Sequence, residues 1–107
     1  MRGKGEFLEV FSRVKGEIVI DGKITNYSEY LEVKNCINNA LQATKQISLY
    51  FINANSISPY ILGYMLKLRE NDGIEISVVV GNAGLYEFLQ SIDFNKFFDI
   101  KIKEFVE

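Results

Sequence analysis

Few side chains in this 107-residue chain are of a type that does catalytic chemistry, because the sequence contains no histidine and one cysteine, Cys36. A Ser-His-Asp triad, a Cys-His pair and most catalytic zinc sites need an imidazole, so these chemistries are excluded. A metal site would have to consist of carboxylates alone, and the sequence has no spaced run of aspartates of the EF-hand kind. We therefore predict no catalytic residue, no metal site and no cofactor.

Ser58 is the hydroxyl residue with the most informative surroundings. It stands directly before Pro59, and proline suits the first position of a helix because it gives up only an amide that has no partner there. As N-cap, the Ser58 oxygen would accept a hydrogen bond from an amide two or three residues on and contribute about 1 kcal/mol to the helix. A phosphate on Ser58 would also be favoured by the free amides and the positive end of the helix dipole. Capping alone and regulated phosphorylation both stay open.

Two tyrosines follow Ser58 at helical spacing. Tyr60 and Tyr64 lie four residues apart, beside the predicted buried face of the helix, and aromatic residues are enriched at protein interfaces. The asparagines at 53 and 55 are typical of turns and are expected to rim the same end of the sheet. The predicted partner-binding residues are Asn53, Asn55, Ser56, Ser58, Tyr60 and Tyr64.

The hydrophobic pattern predicts the elements that position these residues. Residues 47–52 form a nearly continuous apolar run, which predicts a central strand covered on both faces. The helix that begins at Pro59 is predicted to extend to about Glu70, and Gly73 can close it in the left-handed conformation. Gly63 lies inside this helix, where glycine costs about 1 kcal/mol relative to alanine. We attribute it to close packing of the helix on the sheet.

The remaining segments complete an α/β pattern. Further strands are predicted at residues 6–14, 17–20, 74–80 and 98–105, of which the first two form a hairpin and the last is an edge strand protected by lysines. Asn26 and Glu29 form a capping-box variant at the start of a first helix. The apolar stripe of that helix is Tyr30, Val33, Ile37, Ala40, Leu41 and Thr44, and that of a short third helix is Leu85, Phe88, Leu89 and Ile92. The order ββαβαβαβ implies right-handed crossovers and a mixed, largely parallel sheet. We expect one domain over residues 6–107 after a tail at 1–5.

Charge and hydropathy limit the classes of partner. The formal net charge is −2, so no global field attracts nucleic acid or anionic lipid. The longest apolar run, residues 60–66, is too short to span a bilayer. A lone cysteine and the absence of a leader-like start favour the cytoplasm. The glycine-rich turn at residues 81–84 lacks the Lys-Ser/Thr of a Walker loop and the three-glycine dinucleotide fingerprint, which leaves a nucleotide-binding protein or small enzyme as a minor alternative.

Two segments resemble the STAS domain family, which includes bacterial anti-sigma-factor antagonists and the cytoplasmic tails of sulfate transporters. Residues 20–24, IDGKI, look like the family's strand that ends in a glycine before an isoleucine and the first helix. Residues 85–100 are similar to its closing signature, a leucine-rich helix followed by a turn and an aromatic that leads into the last strand. The resemblance covers residues 6–105 and implies a single STAS-like α/β domain.

The resemblance also implies a function. In the antagonists the loop before the second helix reads Asp-Ser-Ser/Thr-Gly, and a partner kinase phosphorylates the second hydroxyl residue. Ser58 falls on that position here, while Ser56 replaces the aspartate and Pro59 the glycine. The implied protein is a non-enzymatic bacterial regulatory module that docks an anti-sigma-factor-like serine kinase or related switch protein and is released by phosphorylation. The alternative is a constitutive STAS adaptor subunit of a lipid or other ABC-type transport complex, in which Ser58 only caps the helix.

Overall fold

The computed structural model describes residues 8–103 and has the predicted α/β order, with one added 3-10 helix. The strands are β1 (Glu9–Ser12), β2 (Glu17–Asp21), β3 (Gln46–Ile52), β4 (Glu75–Val80) and β5 (Asp99–Ile102). The helices are α1 (Tyr27–Leu41), α2 (Pro59–Asp72) and α3 (Ala83–Ser91), and the 3-10 helix is Phe94–Lys96. The tail predicted at residues 1–5 lies outside the described residues.

The five strands form one mixed sheet in the order β1-β2-β3-β4-β5. β1 runs antiparallel to β2, and the pairs from β2 to β5 are all parallel, which confirms a mixed, largely parallel sheet. Each parallel strand lies next to its predecessor and the strands advance in one direction. Right-handed crossovers must therefore place α1, α2 and α3 on the same face of the sheet.

The hydrophobic core lies between the helices and that one face. Leu49 of β3 and Val78 of β4 belong to the same buried cluster as residues from all three helices, such as Ile61 of α2. Tyr50 and Val79, which alternate with them along the strands, are not part of that cluster. Helices within residues 8–103 therefore cover only one face of β3, and the cover expected on both faces does not come from them, because all three occupy a single layer.

Local capping signals set the start of α1. The Asn26 side chain accepts a hydrogen bond from the Glu29 amide at 2.9 Å. The Glu29 carboxylate in turn accepts from the backbone amide of Thr25 at 2.7 Å and from its hydroxyl at 2.8 Å. The capping box is thus confirmed but reaches one residue further back than usual. The helix ends at Leu41, so Thr44 is not on its apolar stripe and instead accepts from the Gln46 amide at 3.1 Å.

The bounds of α2 confirm the Pro59 start and the Gly73 stop, and Gly73 has φ 68°. The explanation offered for Gly63 is wrong. A Cβ built on Gly63 would meet nothing within 4 Å, and the residue is exposed. Gly63 therefore faces solvent and not the sheet.

The outer elements are shorter than predicted. Of the hairpin predicted from residue 6, the described part pairs over Glu9–Ser12. The last strand, Asp99–Ile102, is an edge strand as predicted, and residues 104 and 105 lie outside the described part. Ile92 is exposed, because α3 ends at Ser91 and the chain leaves the helix before Ile92 can join its buried stripe. No helix within residues 8–103 combines the length and apolar character needed to cross a membrane.

Candidate functional site

The predicted site residues lie at the edge of the sheet where the parallel strands end and the helices begin, called the carboxyl edge below. α1 follows β2, α2 follows β3 and α3 follows β4. The N-termini of all three helices therefore open onto this edge. Polar and aromatic residues in the first turns of these helices and in the loops before them share one surface.

The loop between β3 and α2 is held in place at its ends. Asn53 adopts a left-handed conformation with φ 58°, which asparagine tolerates better than most residues. Its side-chain amide donates to the Asp21 carboxylate at the end of β2, at 2.7 Å. The carbonyl of buried Ala54 accepts from the Asn82 side chain at 3.1 Å. Asn53 thus serves a turn as predicted, and the loop is tied to both neighbouring strand ends.

The middle of the same loop is presented to solvent. Ile57 is buried in the core and fixes the chain just before α2. Asn55 and Ser56 are exposed, and no hydrogen bond from either side chain is recorded within residues 8–103. A fixed backbone therefore displays two free polar side chains.

Ser58 caps α2, as predicted. Its hydroxyl oxygen accepts from the Tyr60 amide at 3.2 Å, and its carbonyl accepts from the amides of Ile61 and Leu62, both at 3.0 Å. With Pro59 lacking an amide hydrogen, the first turn of α2 has few donors to spare. The side chain is half-buried at the rim of the carboxyl edge.

Tyr60 and Tyr64 differ sharply in exposure. Tyr60 is 58% exposed, whereas Tyr64 is 5% exposed. The Tyr64 hydroxyl donates to the side-chain oxygen of Asn38 on α1. Packing of α1 against α2 covers the Tyr64 ring, so of the two tyrosines predicted to contact a partner only Tyr60 is exposed.

Sequence reasoning missed the other half of this surface. Tyr27, the first residue of α1, is 57% exposed, and its ring centroid lies 5.7 Å from that of Tyr60. Tyr30, predicted only as part of a buried stripe, lies 5.4 Å from Tyr60 and 6.4 Å from Tyr64. We call Tyr27, Tyr30, Tyr60 and Tyr64 the tyrosine cluster. The missed signal is topological: tyrosines in the first turns of two helices that start at one edge must come close together.

The base of the tyrosine cluster carries a positive charge and a perturbed phenol. The Lys34 ammonium lies 5.9 Å from the Tyr30 ring centroid and 5.4 Å from that of Tyr64, within cation–π range. Burial raises the pKa of the Tyr64 hydroxyl above its ordinary value, and the nearby charges of Tyr30 and Asp72 act in the same direction. Tyr64 is therefore a neutral hydrogen-bonded anchor for the exposed rings.

The glycine-rich turn and Cys36 both make structural contacts within residues 8–103. No group of three or more acidic or thiol side chains in residues 8–103 is placed to hold a metal ion. At the glycine-rich turn, Asn82 accepts from the Leu85 amide at 2.7 Å and so acts as the N-cap of α3. Cys36 is half-buried, with its sulfur 4.0 Å from the Ser12 hydroxyl. The Asn82 cap and the Cys36 contact thus each have a structural role in the described part of the chain.

Comparison with known proteins adds no identification. No family model matches the chain, no curated protein matches it, and no solved structure matches it.

Proposed function

We propose that this chain is a non-enzymatic regulatory module of the STAS type that acts in the bacterial cytoplasm by docking a protein partner at the carboxyl edge. The partner we infer is an anti-sigma-factor-like serine kinase or a related switch protein. One observation carries the proposal: Tyr27 and Tyr60 are both more than half exposed and touch each other beside the Ser58 cap. The resemblance of residues 20–24 and 85–100 to STAS domains agrees with the observed ββαβαβαβ order.

Exposed tyrosines of this kind are effective binding anchors. Tyrosine offers a large contact area with few rotatable bonds, and truncation of a well-buried interface tyrosine typically costs about 2 kcal/mol or more. Here the rings are already fixed by contact with Tyr30, which lies 5.5 Å from Tyr27 and 5.4 Å from Tyr60. Little conformational entropy is left to lose when a partner covers them.

The loop beside the cluster supports the same role. Asn53 and Ala54 are tied to neighbouring loops, while Asn55 and Ser56 present free hydrogen-bonding groups. An apolar aromatic centre next to exposed polar groups matches the usual arrangement of a hydrophobic core and a polar rim in protein interfaces. We place Asn55 and Ser56 on that rim.

Gly63 lies on the same exposed side of α2. Residues 60, 63 and 67 follow at spacings of three and four, so they are neighbours on the helix surface. Glycine lowers helix stability, and nothing within 4 Å of its Cβ position explains its presence. Without a side chain at position 63, a partner could approach the backbone next to Tyr60 closely. Partner binding would thus explain a glycine that the fold itself does not require.

A phosphate on Ser58 would act as a switch at this surface. It would add a charge of about −1.5 to −2 beside rings that a partner must desolvate. The dipole of α2 would favour that charge in the free protein, although the amides of Tyr60, Ile61 and Leu62 are already bonded to Ser58. The modified form would thus be stable alone and bind weakly, in agreement with release by phosphorylation.

The docking surface can be tested in two steps. Affinity purification from the native cell with mass spectrometry identifies the partner, and the dissociation constant is then measured with the recovered partner. Tyr60→Ala should weaken binding at least tenfold, since about 1.4 kcal/mol corresponds to tenfold. Phe97→Ala is the matched control, because Phe97 is also an exposed aromatic but follows the 3-10 helix on the way into β5. Equal binding by both variants and the wild type would rule out the carboxyl edge as the docking surface.

A constitutive adaptor is the second candidate, and the Ser58 geometry favours it specifically. The hydroxyl oxygen already accepts from the Tyr60 amide, and Pro59 and Ser56 depart from the family's phosphorylation motif. Intact-mass analysis after incubation with the recovered kinase and ATP separates the two candidates. An unchanged mass, together with full partner affinity of Ser58→Asp, would favour the adaptor, and recovery of an ABC-type ATPase would identify its complex.

A further inference from the structure

The acidic side chains beside the tyrosine cluster are already bonded within the chain. Two of them, Asp21 and Glu29, lie between the end of β2 and the first turn of α1. Asn53 donates to Asp21 at 2.7 Å, and the amide and hydroxyl of Thr25 donate to Glu29 at 2.7 and 2.8 Å. Residues 53–66, which form the next loop and the first turns of α2, carry no charged side chain. Little free negative charge therefore lies beside the cluster.

The cation at the base of the cluster has no carboxylate partner among the described residues. The Lys34 ammonium lies 5.9 Å from the Tyr30 ring centroid and 5.4 Å from that of Tyr64. Its side chain is half-buried, and no ion pair joins it to another residue in 8–103. Glu32, the acidic residue nearest to it in sequence, is two positions away, a spacing at which helical side chains do not face each other. A carboxylate from outside the chain would give this partly desolvated ammonium its missing counter-charge.

Lys34 is part of the same surface as the exposed rings. Tyr27, Tyr30 and Lys34 follow one another at spacings of three and four along α1, as Tyr60 and Tyr64 do along α2. The contacts of Tyr30 with Tyr60 and of Lys34 with Tyr64 place these two rows side by side. Seven residues of helix separate Tyr27 from Lys34, which corresponds to a rise of about 10 Å. One bound segment can therefore cover the rings and reach the ammonium.

The number of available cations limits the class of ligand. Anionic membranes and nucleic acids are usually bound by several cations together. Lys34 is the single basic residue of α1, and Lys67 on α2 is already paired with Asp72 at 3.9 Å. One ammonium beside aromatic rings matches one carboxylate beside an apolar side chain. That combination is typical of an acidic segment of a protein.

We infer that the partner docked at the tyrosine cluster provides an aspartate or glutamate that binds the Lys34 ammonium, next to an apolar side chain that covers Tyr27 and Tyr60. This inference rests on the proposed docking function and names the chemistry of its partner. The formal net charge of the chain is −2, so the protein as a whole does not attract an acidic partner. Recognition is local, through an ion pair at the edge of the aromatic contact.

Selection from a random peptide library displayed on phage tests this chemistry, with the full chain as bait. The wild type should enrich peptides in which Asp or Glu lies close to an aromatic or aliphatic residue. Lys34→Glu should reverse the charge preference, so that Lys or Arg is enriched instead. Lys34→Met keeps a long apolar side chain and should still select apolar residues without a charge preference. Lys45→Glu is the matched control, because Lys45 is exposed and precedes β3 at the opposite edge of the sheet. It should select the same acidic peptides as the wild type.

A synthetic peptide of the most enriched sequence gives the magnitude. Its dissociation constant should rise about tenfold or more in Lys34→Glu, because like charges then face each other. Replacing the acidic residue of the peptide by its amide should weaken binding to the wild type but leave binding to Lys34→Met unchanged. Urea unfolding of each variant shows that the compared proteins are folded.

The outcomes separate this inference from the proposed function. Suppose that the selected peptides lose affinity for Tyr60→Ala but are not acidic, or that Lys34→Glu selects the same peptides as the wild type. The role of Lys34 would then be wrong, while docking at the tyrosine cluster would stand. If the selected peptides bind Tyr60→Ala as tightly as the wild type, or if no peptide is enriched at all, the docking surface itself is wrong and the inference is overturned with it.

Discussion

Replacement of Gly63 by alanine should stabilise the protein, because the structure gives this glycine no steric task. The residue lies inside α2 with a helical backbone, is exposed, and has open space for 4 Å around a Cβ. Alanine exceeds glycine in helix propensity by about 0.8–1.0 kcal/mol, mainly because glycine loses more backbone entropy on folding. We expect Gly63→Ala to raise the free energy of unfolding by about 1 kcal/mol.

The assay is urea unfolding followed by circular dichroism, with thermal melts as a second measurement. A gain of 1 kcal/mol in a chain of this size corresponds to an increase in Tm of roughly 4 °C. Gly73→Ala is the matched control: it also has open space around its Cβ, but its φ is 68°. Alanine there must adopt the left-handed conformation, so this variant should lose about 1–2 kcal/mol.

The pair separates conformational from packing effects. Suppose that Gly63→Ala is neutral or destabilising while Gly73→Ala behaves as expected. The fold would then have a requirement for glycine at position 63, and the argument from helix propensity would be wrong. If both variants are stabilised, the left-handed cap at Gly73 is not maintained in solution. Unchanged urea m-values would show that the comparison reflects stability alone.

The remaining predictions concern the carboxyl edge and its anchors. Tyr64→Phe should lose about 1 kcal/mol at neutral pH, measured by urea unfolding, because the hydrogen bond to Asn38 is removed. The pKa of Tyr64 is raised in the folded protein, so the contribution of Tyr64 to the free energy of unfolding is complete below the unfolded pKa of 10.0 and is lost as pH rises through the folded pKa. The free energy of unfolding should therefore fall less at alkaline pH in Tyr64→Phe than in the wild type. Asn53→Ala should be less stable than Asn53→Gly, because both lose the bond to Asp21 but only alanine is strained at φ 58°. A thermal melt that orders these two variants the other way would contradict that reasoning. Ser58→Ala should lower stability by about 1 kcal/mol through loss of the cap, as measured by the same melts.

Signals confined to a few neighbouring residues predicted the structure best. Asn26 before α1, Pro59 at the start of α2 and Gly73 at its end all stand where their capping chemistry places them. Each of these preferences depends on backbone geometry within one turn, so a linear sequence contains all the information needed. The α/β order and the mixed sheet follow from the sum of such local signals.

Features that depend on distant contacts were not predictable in the same way. The apolar run of β3 is compatible with one covered face or two, and only the sequential strand order leaves Tyr50 facing away from the helices. Tyr64 has the spacing of a surface residue beside Tyr60 but is buried because α1 packs against α2. No local sequence pattern indicated Tyr27, because its place in the cluster depends on contact with the Tyr60 ring, 33 positions later in the chain.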